Sequence, residues 1–312
     1  MKPVVIIVPT YNSAATIVET LQSIQDQDDL STVRYVLLCD DGSTDDTVER
    51  ARRAWTGSVP LRLRLAERNR GERGNLNDAM TSLEGDIEWA LILHSDDLAK
   101  PHWTRRTIEE FKGDRDNVAS VCSSYDVFQP GGVVESGEDD PHRAPELIRS
   151  SRLAVRSTLL RGCWWHISGS AIHIASFRAS GGFREDLPQL GDWEWVLRCL
   201  RLGYGLVYIP RTLIRYRQHS TSVSSLSFRV HRDVTEALGI IQEYAAALSR
   251  ADLAKIHARR LTYLARRAVR SLVARDGKRA LLAVRVGVSV VVNFFRCQAG
   301  VGSTLGSSAG SS

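Results

Sequence analysis

Leu91-Ile92-Leu93-His94-Ser95-Asp96-Asp97 is an apolar run that stops on two adjacent carboxylates. A run of this kind suits a strand buried on both faces. Its carboxylates then fall at the carboxyl end of the strand, where ligands bind in open α/β sheets. Two carboxylates in one crevice repel each other unless a cation sits between them. The stretch therefore predicts a site for a divalent metal carrying phosphates. The plainer alternative is a helix cap, with Asp97 initiating a helix at Leu98-Ala99-Lys100-Pro101.

Working outward, similar strands precede this one. Val4 to Val8 is an apolar run halted by Pro9-Thr10-Tyr11-Asn12, and a helical pattern with Ile17, Leu21 and Ile24 follows, with Asn12 or Ser13 as its cap. Tyr35 to Cys39 is a second strand, ending in Asp40-Asp41-Gly42-Ser43-Thr44-Asp45 before a helix through Val48 and Ala51. Leu61 to Leu65 reads as a third strand, and Asn69 to Asn77 as a Gly- and Asn-rich loop opening a helix. Strands alternating with helices predict βαβ units and a mostly parallel sheet. Tyr11, Asp41, residues 69–77 and Asp96-Asp97 would then line one sheet edge, the geometry of a nucleotide site. Neither GxxxxGK[ST] nor GxGxxG after the first strand is present, which argues against P-loop and dinucleotide-binding classes.

The 312 residues are 43% hydrophobic and 25% charged, enough for a full core and one large α/β domain with an appendage. Five scattered cysteines without a CxxC argue against a disulfide framework or a zinc site and suit a reducing cytosol. Met1-Lys2-Pro3 leads straight into the first strand, so no signal peptide is expected. The net charge of +5 is unevenly placed. Between Arg250 and Arg296, twelve Lys or Arg stand against two acids, which leaves +10 there and −5 in the remainder. A localised basic segment points to an anionic surface.

Four segments together carry a family resemblance: Val8-Pro9-Thr10-Tyr11-Asn12, Asp40 to Asp45, the Asn/Gly loop, and His94-Ser95-Asp96-Asp97. In order and spacing they resemble family 2 glycosyltransferases of the GT-A fold. The resemblance continues through Ser168-Gly169-Ser170-Ala171 with Gly181-Gly182-Phe183, which is similar to the family's acceptor-side glycine loop. Asp192-Trp193-Glu194-Trp195 resembles the segment bearing the catalytic base, and Tyr216-Arg217-Gln218-His219-Ser220 the closing segment with a metal-binding histidine. Coverage is about residues 3 to 224. The expected organisation is a GT-A domain over 1–224, a basic helical extension over 225–298 and a disordered Gly/Ser tail over 299–312.

The chemistry implied is transfer of a sugar from a nucleotide-diphosphate donor, a UDP-sugar by preference, to a glycan or lipid-linked acceptor. Hard oxygen ligands around Mn²⁺ or Mg²⁺ would neutralise the leaving diphosphate. The resemblance makes Asp97 the direct ligand, places Asp96 at the ribose or behind the ligand shell, and gives His219 a place on the metal. The family often has a carboxylate two residues before Asp96, and here that position is His94. Asp192 is the expected general base for an inverting displacement, with Glu194 as a solvent-facing rival and a helix cap as the purely structural alternative. Tyr11 would stack on the base and Asp41 accept from a ring N–H, with Pro9 beside them. Arg73 would reach the diphosphate or lie in solvent, and Asn77 is expected to orient the loop more than bind ligand. Gly169 and Trp193 would serve the acceptor. Of Trp164, Trp165, Trp193 and Trp195, one or two are expected at sugar and the rest in the core.

From Phe228 on, helical periodicity prevails: Leu238, Ile241, Tyr244, Ala245 and Leu248, then Leu253, Ile256, Leu261, Leu264 and Ala268 laced with arginines. Leu281 to Phe295 is a fifteen-residue apolar run broken by Arg285, short of the ~20 residues a spanning helix needs. Two readings stay open: a basic amphipathic segment on an anionic membrane face, or a bundle with its arginines in solvent. A cytoplasmic protein, peripheral at the inner membrane face, is the corresponding expectation. Rival functions are a sugar-nucleotide nucleotidyltransferase and a catalytically degenerate binding partner. No nucleic acid partner is expected, because the basic tail lacks interleaved aromatics.

Overall fold

The computed structural model describes residues 3–111, 117–129, 131–219 and 227–305. Along the chain come β1 (Val4–Thr10), α1 (Ile17–Gln25), β2 (Val33–Asp40), α2 (Thr47–Ala54), β3 (Leu61–Leu65), α3 (Gly71–Ser82), β4 (Trp89–Ile92), β5 (Leu98–Ala99) and α4 (Trp103–Glu109). Then follow β6 (Val118–Gln129), β7 (Gly132–Glu135), β8 (Glu146–Ile148), α5 (Arg152–Arg161), β9 (Ala171–His173), α6 (Ile174–Ser180), α7 (Gly191–Arg201) and β10 (Gly205–Arg217). The C-terminal helices are α8 (Arg232–Glu243), α9 (Arg250–Val273) and α10 (Gly277–Leu305).

Among the described residues one sheet holds all ten strands, in the order β3-β2-β1-β4-β9-β6-β10-β5, with β7 on β6 and β8 on β10. β1, β2, β3 and β4 are mutually parallel, and β6 is parallel to β10. The short β9 runs antiparallel to both β4 and β6, so all six of these strands point one way. The sheet is thus mostly parallel, with short β5, β7, β8 and β9 reversed. β1 is buried along its whole length, as expected of a central strand covered on both faces. Ile17, Leu21 and Ile24 of α1 sit in the same core as Ile6, Leu38, Leu91 and Trp103.

Several local expectations are corrected. α1 is capped neither by Asn12 nor by Ser13: its N-cap is Thr16. Asn12 instead holds the Thr44 N–H at 2.8 Å, and Ser13 Oγ bonds Ser95 Oγ at 2.7 Å, so both serve tertiary contacts. Most of the Gly/Asn stretch is already helical, since α3 begins at Gly71. Leu98-Ala99 is a strand paired with β10, and the next helix waits until Trp103. Asp97 is therefore no helix cap.

Two compact units emerge. The first comprises Met1–Ser151 and Trp165–Gln218, the second Arg152–Trp164 and His219–Ser312. The expected boundary at 224 lies outside the described residues, and α5 falls in the second unit. The second unit is helical. Its core joins Val234, Leu238, Leu264, Ala283, Val286 and Val290. His257 Nε2 meets Asn293 Oδ1 at 2.9 Å, and Asn293 Nδ2 donates to Leu238 O at 3.1 Å, which ties α8, α9 and α10 together. α5 docks by ion pairing, Arg156 gripping Asp252 through two bonds of 2.7 Å. α10 is longer than the apolar run suggested, and Gly277–Ala299 is long and apolar enough to cross a membrane by length and composition. Its helix continues to Leu305, inside the segment expected to be disordered. The remainder of that tail lies outside the described residues.

Candidate active site

β4 ends at Ile92, and the Leu93 N–H still donates to Ile7 O at 3.0 Å. The chain then turns, with the Asp97 N–H on His94 O at 3.1 Å. Two neighbours strap this turn. On one side Ser168 Oγ accepts the His94 N–H at 3.1 Å, while the Gly169 N–H donates to Ile92 O at 2.7 Å. Gly169 has φ +84°, and a Cβ there would lie 2.2 Å from Ile214 Cγ1, so only glycine lets the strap close. On the other side stands Arg217 at the end of β10. Its N–H donates to Asp97 Oδ1 at 2.8 Å, its Nε to Asp96 O at 2.7 Å, and its guanidinium pairs with Glu19 at 2.6 Å.

Asp97 is completely buried, and its Oδ2 has no hydrogen-bond partner. Burial, and then the Asp96 charge, push its pKa up to about 7. One donor atom from each of His94, Asp96 and Asp97 lies within 4.8 Å of the others, the group among the described residues with the spacing for an ion. An orphaned, buried carboxylate oxygen beside a second carboxylate is the donor set a hard divalent cation takes. His94 stands beside Glu72, although its Nε2 makes no hydrogen bond. Burial opposes its charge, but the Glu72 carboxylate at 3.1 Å outweighs burial and holds the imidazole pKa up at about 9. The oxygens left for a metal are those of the two aspartates.

From His94 a chain of charge leads away. Glu72 Oε1 also accepts from Arg73 Nη1 at 2.9 Å, and Arg73 Nη2 lies 3.8 Å from Asp192 Oδ1. Burial resists ionisation of Glu72, yet Arg73 and His94 bring its pKa down to about 2. Arg73 is buried rather than solvated, and its Nε has no partner. Asp192 sits in the first turn of α7, one residue inside the helix rather than at its cap. Burial raises its pKa, while Arg73 and the Trp193 N–H, at 2.8 Å from Oδ1, pull the other way. Glu194, the rival base, does not face solvent. It is buried and held by Arg198 at 3.1 and 2.8 Å, a structural pair.

The remaining expected residues divide by duty. Tyr11 stands at the sheet edge with its side chain 48% exposed, open to a stacking ligand. Pro9 lies past the β1–β4 register, which ends at Ile7–Ile92, so its missing N–H costs no ladder bond there. Asp41 is buried, with its two oxygens accepting the Arg70 and Gly71 N–H groups at 2.9 and 2.8 Å, and so fixes the start of α3. Asn77 clamps the Phe183 backbone from both atoms of its amide at 2.8 Å. Trp165, Trp193 and Trp195 are all buried; Trp165 and Trp195 donate to Ser120 and Ser180, while the Trp193 indole N–H has no partner. His219 is half-buried and opens the second segment of the second unit. Sequence reasoning missed Glu72 and Arg217. Both stand inside segments already singled out, and the signal was the histidine at 94, whose departure from the usual carboxylate calls for an acidic partner.

Residues 5–169, just over half of the chain, match the family model described as Glycosyl transferase family 2. The chain is 23% identical over 198 residues to a chondroitin synthase of Escherichia coli, covering 64% of this chain and 26% of that protein. It is 24% identical over 200 residues to a hyaluronan synthase of Pasteurella multocida, covering 64% of this chain and 19% of that one. It thus spans about a quarter or less of the length of these relatives. With the succinoglycan biosynthesis protein ExoO of Rhizobium meliloti it shares 35% identity over 132 residues, 41% of this chain and 35% of that one. The fold is similar to that of S. aureus TarS 1-349 in complex with UDP-GlcNAc, with a TM-score of 0.57 at 17% identity, covering 92% of this chain and 91% of that one. It is also similar to the mannosyltransferase PcManGT of Pyrobaculum calidifontis, in complex with GDP-Man and Mn²⁺, with a TM-score of 0.55 at 18% identity, covering 96% and 87%.

Proposed function

The chain belongs to glycosyl transferase family 2, and from that premise we propose that it is a metal-dependent, inverting enzyme that moves a sugar from a UDP-sugar to a hydroxyl of a glycan or glycolipid in polysaccharide synthesis. The observation that carries this reading is the unpartnered Oδ2 of buried Asp97 beside Asp96 at the carboxyl end of β4. The names of the relatives support a polysaccharide product, and the ligands of the TarS and PcManGT structures support a nucleotide-sugar donor.

Asp97, through Oδ2, and Asp96 would hold Mn²⁺ or Mg²⁺. Bound there, the ion supplies charge neutralisation for the departing diphosphate. Tyr11 stacks on the uracil, with Pro9 and Asp41 shaping the same edge. Asp192 accepts the proton of the acceptor hydroxyl at the oxygen not engaged by the Trp193 N–H. As that proton leaves, the acceptor oxygen bonds to the anomeric carbon, the carbon–diphosphate bond breaks, and the configuration inverts. The pKa of Asp192, raised by burial, makes it a stronger base than a surface carboxylate. Arg73 keeps the carboxylate in place and offers its free Nε to an anionic ligand. Gly169 and Trp193 belong to the acceptor side.

Calorimetry with a panel of nucleotides, wild type beside Asp97→Ala, tests this. UDP binding that requires Mn²⁺ or Mg²⁺ and is lost in the variant is the expected result. Metal-independent binding would remove the metal from the reading. Preference for GDP would replace the donor.

A further inference from the structure

A helix that is apolar all round belongs in an interior, yet α10 is buried on one side only. Its inner side, through Ala283, Val286 and Val290, is packed in the helical core. Its outer side carries Leu281, Val284, Val288, Val291, Val292 and Phe295, of which Leu281 is 52%, Val288 60% and Phe295 65% exposed. At 3.6 residues per turn these six fall within an arc of about 100°, along about 21 Å of helix. Lys278, Arg285 and Arg296 line one edge of that stripe by the same geometry.

We propose that this outer face of α10 docks the protein on an anionic lipid surface, lying in the interface rather than crossing the bilayer. Charge selects the occupant. α10 contains no acid, and the two acids between Arg250 and Arg296 are already engaged, Asp252 by Arg156 and Asp276 by Arg279. A second copy meeting it face to face would set +10 against +10 along these segments. Anionic headgroups supply the missing charge, while the valines and Phe295 enter the acyl boundary and the arginine stems snorkel beside them. Crossing the bilayer would expose the inner face to lipid as well, at the cost of the buried bonds of Asn293 to His257 and to Leu238 O. This inference does not depend on the donor chemistry.

Flotation of the full chain tests it, with vesicles of phosphatidylcholine alone and of phosphatidylcholine mixed with phosphatidylglycerol. The chain should float only with the anionic vesicles and be released by high salt or alkaline carbonate. Arg285→Glu should weaken the partition about twenty-five-fold, two charges at about fivefold each. Val288→Asp should weaken it about tenfold. Both positions are exposed, so circular dichroism and melting should match wild type, and either variant alone carries the test if the other misfolds. Absence of flotation, equal flotation on neutral vesicles, or wild-type flotation of the folded variants would overturn the proposal. So would retention through carbonate, which indicates a spanning helix, or a dimer that Val288→Asp splits.

Discussion

Asp97 and Asp252 are both buried carboxylates, and the protein treats them in opposite ways. Asp252 is fully used. Arg156 donates to both its oxygens, the Ser249 N–H and hydroxyl add two more bonds, and these contacts hold its pKa well below the usual carboxylate range, against a lesser opposing push from burial. Asp97 accepts the Arg217 N–H and has the Ser168 hydroxyl beside it, leaves Oδ2 unpartnered, and has its pKa pushed up by burial and by Asp96. A carboxylate satisfied by its own chain is holding that chain together. One buried and left unsatisfied is held for something that arrives later, because an orphaned polar atom costs stability that only a ligand returns.

The strongest way to break that contrast is to remove each charge. Asp97→Asn should lower kcat/KM by about three orders of magnitude, since it weakens neutralisation of the leaving group. The same variant without metal should melt no lower than wild type at neutral pH, because a repelled, buried charge has gone. A large drop in melting temperature would mean that Asp97 is structural after all, like Asp252. Next in size is Asp192→Asn, which should cut kcat by about 10² or more while leaving donor affinity near wild type. If donor affinity collapsed instead, Asp192 would belong to the donor side and not act as base. Glu72→Gln sharpens the middle of the chain of charge. Glu72 touches His94 and Arg73, which reach to Asp96-Asp97 and Asp192 respectively. A positioning carboxylate of this kind is worth about tenfold in metal affinity or activity. Unchanged metal titration and unchanged kcat would reduce the cluster to packing.

The parts of this molecule legible in its sequence are those governed by local pattern. Leu61–Leu65 is a strand with the expected bounds, and apolar runs ending in Asp40-Asp41 and Asp96-Asp97 do lie at one edge of a mostly parallel sheet. Errors gather where a distant partner overrides a local signal. Ser13 looks like a helix cap but spends its hydroxyl on Ser95, 82 residues away. Glu194 looks exposed by its place in the first turn of α7, but Arg198, which also binds the Ser180 and Gly182 carbonyls, draws it inside. The Glu72–His94 pair joins α3 to the turn after β4, and no periodicity encodes that meeting. α5 lies between strands of the sheet in sequence, yet Arg156 binds Asp252 across 96 residues, and α5 belongs to the helical unit. Long-range charge pairing, rather than hydrophobic pattern, is what the linear sequence conceals here.

That last pair gives the smallest effect and the cleanest sign. The folded pKa of Asp252 lies well below its ordinary value of 3.8, so its contribution is present in full above 3.8, begins to fall there, and is lost as pH falls through the folded pKa. Asp252→Asn should cost about 1.5 kcal/mol at neutral pH, the low end for hydrogen bonds to a charge, because Arg156 is 41% exposed and partly screened. The variant and wild type should converge only below the depressed folded pKa, where the native wild-type group has also taken up its proton. Helix unfolding by denaturant, followed across that pH range in both proteins, reads the difference directly. A gap that stays constant with pH would mean that Asp252 acts through its neutral capping geometry with Ser249 and not through its charge.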